Sequence, residues 1–175
     1  MYKEYPILIW PDMRLRKISL PIKYIDHKII NLINKMIIIM TKLKNVAGLA
    51  APQIGVHLRL IILKIPVIHK KNILNKFIIL INPFIISYEK EIIWNEGCLS
   101  IPNETGNVKR NKKIIITYKK INNTKAFFTS ENYLAVCLQH EIDHLNGKLW
   151  IDYQSYIIQK LIKDKMILLK KNNSI

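Results

Sequence analysis

The sequence predicts an α+β fold, and three observations carry that prediction. Apolar residues recur at steps of three and four over residues 25–43 and, less regularly, over residues 154–171, which is the period of amphipathic helices. Between them lie β-branched runs of strand length, LRLIIL, FIILINPFII and KKIIITYKK. A further helix candidate, residues 130–146, carries QHEIDH. With 175 residues and 50% hydrophobic side chains the chain can bury one core, so a single domain over residues 1–175 is expected.

The first 24 residues contain Pro6, Pro11 and Pro21 and should be extended or turned, with a short helical turn at Met13 to Lys17. A helix can start near Asp26. Ile25, Ile29, Leu32, Ile33, Met36, Ile37, Met40 and Leu43 then form one stripe, with Lys28, Lys35 and Lys42 left to water. VAGLAAPQIG at 46–55 breaks that pattern, and Pro66 and Pro83 interrupt or bound the strands that follow. KKINNTK at 119–125 reads as a hairpin connection into a short strand AFFT at 126–129. Ser130 can cap the helix that follows, and Gly147 is a natural stop. The last helix has an imperfect stripe of Ile157, Ile158, Leu161, Ile162, Lys165, Leu168 and Leu169.

Charge is lopsided: 28 Lys plus Arg against 12 Asp plus Glu gives a formal +16, which raises the question of nucleic acid or an anionic membrane. The positives are 24 Lys and 4 Arg, beside 36 Ile and 16 Asn. Such enrichment fits a composition drifted toward AT-rich codons, as in a reduced bacterial genome, at least as well as a selected basic surface. Two cysteines, Cys98 and Cys137, make no disulfide framework, and the N terminus lacks a basic segment followed by an apolar run. A cytoplasmic, reducing location is expected. Residues 25–43 carry Asp, His, Lys and Asn, which argues against a span of roughly 20 residues in lipid.

The chemistry is written in QHEIDH. His140 and His144 stand four apart on a helix, so both imidazoles project toward one point, and Glu141 can reach a water there. Water is a poor nucleophile at neutral pH, and a Lewis acid both lowers its pKa and polarises a carbonyl. A hydrolytic site wants three protein ligands and an open position. The metzincin-like continuation runs as far as Gly147, but Trp150 stands where its last histidine would be. Asp164, among Lys160, Lys163 and Lys165, is a weak third candidate that a surface ion pair explains equally well. Cys137 would crowd three ligands onto one helix. Cys98, in a Gly-containing loop EGCLSIP, can approach from across the fold, so spacing favours it while leaving the others open.

HEIDH at 140–144, EGCLS at 96–100 and GLAAPQ at 48–53 resemble, in order and separation, the three signatures of bacterial peptide deformylases, and the similarity extends from PDMRLRK to the C-terminal helix. The resemblance implies antiparallel or mixed sheets packed around a central helix bearing HExxH, between an N-terminal and a C-terminal helix. It implies a metal held by Cys98, His140 and His144, with Glu141 as general base and acid. Gln53 and the Leu99 backbone amide would stabilise the oxyanion, and Gly48 and Gly97 would bind the substrate backbone. Ala47, Trp94, Tyr133 and Val136 would wall a methionine pocket; by composition alone Trp94 and Val136 read as core. Arg110 would contact the substrate or order the cysteine loop, against a reading as a solvated member of the basic run 109–113. The implied metal is Fe(2+), with Zn(2+) or another divalent ion as substitute. The implied activity is removal of the formyl group from N-formylmethionine on new polypeptides, by a monomer.

Two departures from the family pattern stand out. Val46 replaces the first Gly of GxGLAAPQ, where Gly permits a strained backbone or close approach, and Asn107 replaces an apolar residue beside the cleft. The metal and acid–base residues are intact, so activity is expected, at a rate Val46 can lower. One rival is a zinc endopeptidase using HExxH. Another is a basic ribosome- or RNA-associated protein without catalysis, although no aromatic stacking pattern or nucleic-acid motif supports it. For an enzyme acting on nascent chains, the Lys-bearing helix 154–171 is the expected ribosome contact.

Overall fold

Asp26 starts the first helix: its carboxylate accepts hydrogen bonds from the amides of Lys28 and Ile29, both at 3.0 Å, and α1 runs from His27 to Lys42. The computed structural model describes residues 7–43, 46–69 and 72–172, so the expectation for Pro6 lies outside the described residues. Beyond α1 come β1 (Gly48–Ala50), β2 (Leu60–His69), β3 (Asn72–Cys98), β4 (Ile101–Lys119) and β5 (Lys125–Glu131). They form one five-stranded sheet in chain order, each pair antiparallel. Two helices follow, α2 (Asn132–Leu145) and α3 (Tyr156–Asn172), with single 3-10 turns at Met13–Arg16, Ala51–Ile54 and Trp150–Tyr153.

The continuous apolar run of β2 is explained by helices on both faces of the sheet. Leu60 and Ile62 pack with Ile29, Ile33, Met36 and Met40 of α1, while Ile61 and Leu63 pack with Ala135, Leu138, Ile142 and Leu145 of α2. A third cluster joins Leu8, Trp10 and Leu15 to Val108, Trp150, Ile162 and Met166. The α2 helix is thus central: from Ala135 to Leu145 every residue except Asp143 is buried.

The structure corrects several sequence expectations. β3 and β4 are far longer than the runs suggested, at 27 and 19 residues. Asn82 and Pro83 look like a break but sit in a register shift between Ile81 and Phe84, where Asn82 takes φ 52° and its side chain bonds both the amide and the carbonyl of Ile22 at 2.8 Å. Ser130 is no helix cap; it is a buried residue of β5, opposite Ile114, and Glu131 takes the N-cap position without a side-chain bond. On α3 the buried face is Ile162 and Met166, while Ile157, Leu161 and Leu168 of the expected stripe are exposed. Gly147 does end α2 region as expected, at φ 71°. Among the described residues no helix is long and apolar enough to cross a membrane.

Candidate metal centre

β3 ends at Cys98, and a turn through Leu99 and Ser100 returns the chain into β4, with the register shifting between Gly97 and Cys98. The cysteine is therefore a strand terminus and not a residue of a free loop. The Ser100 amide donates to its Sγ at 3.4 Å, which holds the thiol over α2. There His140 and His144, one turn apart, stack edge to face with centroids 4.9 Å apart. The potential ligand atoms of Cys98, His140 and His144 all lie within 4.8 Å of one another, and Sγ is 3.3 Å from His144 Nε2. Cys137 is not part of this group: it is buried in the α2 face, and burial pushes its thiol well above the usual range, away from the thiolate a metal requires. Asp164 is exposed on α3, so neither alternative third ligand, Cys137 or Asp164, joins the group, and Trp150 is core.

Glu96 fixes the first histidine. Its Oε2 accepts from His140 Nδ1 at 2.8 Å, leaving Nε2 as the atom for a metal. Burial pushes the Glu96 pKa up, yet hydrogen bonds from His140 and Arg110 outweigh it and hold the carboxylate below its ordinary value. His144 is pushed well below the usual imidazole range, by burial first and then by the charges of His140 and Arg110, and so stays in its neutral, ligating form. A sulfur and two imidazoles arranged this way suit a borderline divalent transition metal, and the residues present fit such an ion.

Glu141 is buried beside this group and Oε2 has no hydrogen-bond partner among the described residues. Burial pushes its pKa up to about 7; His140 opposes the rise and Glu96 adds to it. A carboxyl poised there can both take and return a proton near neutral pH. Gly48 makes room for it, since a Cβ on Gly48 would lie 2.6 Å from Glu141 Oε1. Gln53 reaches the site from the 3-10 turn after β1. The Ala50 amide donates to its Oε1 at 2.9 Å, and because only an oxygen can accept that proton, the Nε2 donor is the end facing Cys98 Sγ, at 3.7 Å.

A cavity of about 450 Å³ opens onto these groups, lined by Ala47, Gly48, Gln53, Gly97, Leu99 and Val136 among others. Trp94 and Tyr133 form part of its wall, rings 6.2 Å apart, and Val136 also faces it. Val46 also lines it, 8% exposed and packed into the α1 side of the core, with no left-handed backbone. Asn107 is exposed and bonded to Asn95 at 3.2 Å; Asn95 and not Asn107 lines the cavity.

For Arg110 the structure overturns the solvated reading. It neither lines the cavity nor meets solvent: it is 5% exposed, grips both oxygens of Glu96 at 2.6 and 3.1 Å, and donates to Asp143 Oδ2 at 2.6 Å. The sequence alone does not mark Glu96 and Asp143 as site residues. Their signal was present only as neighbours of the ligands, Glu96 two residues before Cys98 and Asp143 one before His144.

Two histidines and a buried carboxyl on one helix, with a cysteine from the end of the adjoining antiparallel strand, define a metal-dependent hydrolase. Residues 4–160 match the family described as polypeptide deformylase. A peptide deformylase of Buchnera aphidicola from Schizaphis graminum is 42% identical over 165 residues, covering 94% of this chain and 95% of that one. Among solved structures, a peptide deformylase from Legionella pneumophila is 38% identical with TM-score 0.85, covering 96% of each chain. That from Ehrlichia chaffeensis in complex with actinonin is 31% identical with TM-score 0.86, covering 98% of each. The chain belongs to the polypeptide deformylase family and is an enzyme of that type.

Proposed function

We propose that this enzyme hydrolyses the formyl amide of N-formylmethionyl peptides, releasing formate and a free amino terminus. The observation that carries the reading is the convergence of Cys98, His140 and His144 donors within 4.8 Å of one another, beside Glu141 in one cavity. Cys98, His140 and His144 would hold the metal, Fe(2+) with Zn(2+) able to substitute, and the ion would supply Lewis acidity toward the formyl oxygen and lower the pKa of a water beside it. Glu141 takes a proton from the attacking water and returns it to the departing nitrogen as the C–N bond breaks. The Gln53 amide and the Leu99 backbone N–H donate to the oxygen that gains charge. Ala47, Trp94, Tyr133 and Val136 receive the methionine side chain, whose flexible thioether suits an apolar cleft, while Gly48 and Gly97 let the substrate backbone approach. Arg110 acts by ordering Glu96 and so the cysteine strand end, not by touching substrate.

The enzyme is read as a cytoplasmic monomer working on nascent chains. The exposed, Lys-bearing α3 is the surface proposed for the ribosome; salt-dependent cosedimentation of full-length against α3-truncated protein tests it, and equal, salt-insensitive sedimentation would argue against it. The activity test is formate release from formyl-Met-Ala by anaerobically purified ferrous protein, with a longer peptide to detect internal cleavage. Internal cleavage without formate would reject the assignment in favour of an endopeptidase.

A further inference from the structure

We propose that Tyr153 is a positioning residue for the metal centre, acting through Asp143, Arg110 and Glu96 on His140. The contacts form an unbroken line. Tyr153 donates its hydroxyl to Asp143 Oδ2 at 2.9 Å, and the same oxygen accepts from Arg110 Nη1 at 2.6 Å. Arg110 Nε donates to Glu96 Oε1 at 2.6 Å, and Glu96 Oε2 accepts from His140 Nδ1 at 2.8 Å. Tyr153 touches this line twice, because the Arg110 guanidinium also lies over its ring, 4.9 Å from the centroid.

The arrangement has a direction. Arg110 and Glu96 are 5% exposed, and Asp143 has a side chain 15% exposed, so the outer carboxylate is the member with room to turn toward water. Two donors on one oxygen stop it from turning. Tyr153 is itself presented by a locked turn: Trp150 and Ile151 are buried, Asp152 Oδ2 accepts from the Leu149 amide at 2.8 Å, and Arg16 holds both Asp152 oxygens. Burial and then Asp143 push the Tyr153 phenol up to about 12, so it remains a donor over the working pH range. Without the hydroxyl, Asp143 is free to swing, Arg110 keeps only its Glu96 anchor, and the carboxylate that orients His140 gains freedom. Tyr153 does not line the cavity, so its effect passes through the His140 side of the site.

The proposal rests on the Cys98, His140, His144 metal site. The experiment titrates the full-length protein, stripped of metal, with Zn(2+) in competition with a chromogenic chelator, and records the visible spectrum of its Co(2+) form. Tyr153→Phe keeps the ring over Arg110 and removes only the hydroxyl. It should weaken Zn(2+) binding by about 3–10-fold and Asp143→Asn by about 10-fold or more, with altered Co(2+) bands and an unchanged Tm of the stripped protein for Tyr153→Phe. Because both act along one line, the double variant should lose no more affinity than Asp143→Asn alone. Wild-type Zn(2+) affinity in Tyr153→Phe, multiplying effects in the double variant, or a loss accompanied by a lowered Tm would each overturn the positioning role. Undiminished Zn(2+) binding by Cys98→Ser would instead sink the metal site beneath it.

Discussion

Lys109 and Arg110 are neighbours on β4, and each meets a glutamate of β3 at 2.6 Å, but on opposite faces of the sheet. The Lys109–Glu91 side chains are 67% and 62% exposed; those of Arg110 and Glu96 are 5% and 4%. Equal distances conceal unequal energetics. On the outer face water screens the attraction and compensates either ion if its partner goes, so such a pair contributes about 0–1 kcal/mol. On the inner face each ion has given up its hydration, so the pair itself is weak evidence for stability but removing one member strands the other. The inner pair also holds His140, a candidate metal ligand, which the outer one has no means of reaching.

The largest expected effect lies on the inner face. Glu141→Gln should keep the fold and the metal ligands but lower kcat for formate release by about 10²–10⁴; a rate near wild type would move the proton transfer to another group. Next comes Arg110→Met, which leaves Glu96 and Asp143 without their shared cation and should cost about 3–5 kcal/mol in denaturant unfolding. An unchanged unfolding midpoint would erase the distinction between the two faces. Gly48→Ala is expected to cost about 1–3 kcal/mol through overpacking, since its methyl would stand 2.6 Å from Glu141 Oε1. If Glu141 moves aside instead, stability is preserved and the loss appears in kcat. Lys109→Met should stay within about 1 kcal/mol of wild type, with full formate release; a larger change would mean that the outer face is coupled to the site after all.

Much of the fold and of the candidate site is legible in the sequence. Asp26 and the stripe after it gave α1 because cap and period agree within one short segment. His140, His144 and Cys98 were legible because a metal demands particular atoms, and only two cysteines compete for that place. Ser130 misled because a cap residue and an inward-facing strand residue look alike in a string. Strand length was hidden at Asn82, where the structure absorbs an apparent break as a bulge. The Glu96–Arg110–Asp143–Tyr153 line was invisible for a different reason. Its members come from β3, β4, α2 and the turn after it, and their meeting depends on sheet register, which one-dimensional spacing does not encode.

The pleat of β4 has a consequence for how this protein ages. Positions 107 and 109 are exposed Asn and Lys and 111 and 113 half-buried Asn and Lys, while 108, 110, 114 and 116 hold buried Val, Arg, Ile and Ile, with exposed Lys112 the exception on that side. Alternation sends successive residues to opposite sides, so a biased genome can overwrite one side of this strand almost freely while the other, a single bond away, is held by what it touches. The strand behaves as a two-sided ledger, one page open to mutation and the other closed by chemistry, and the enzyme can become steadily more basic without its metal site registering the change.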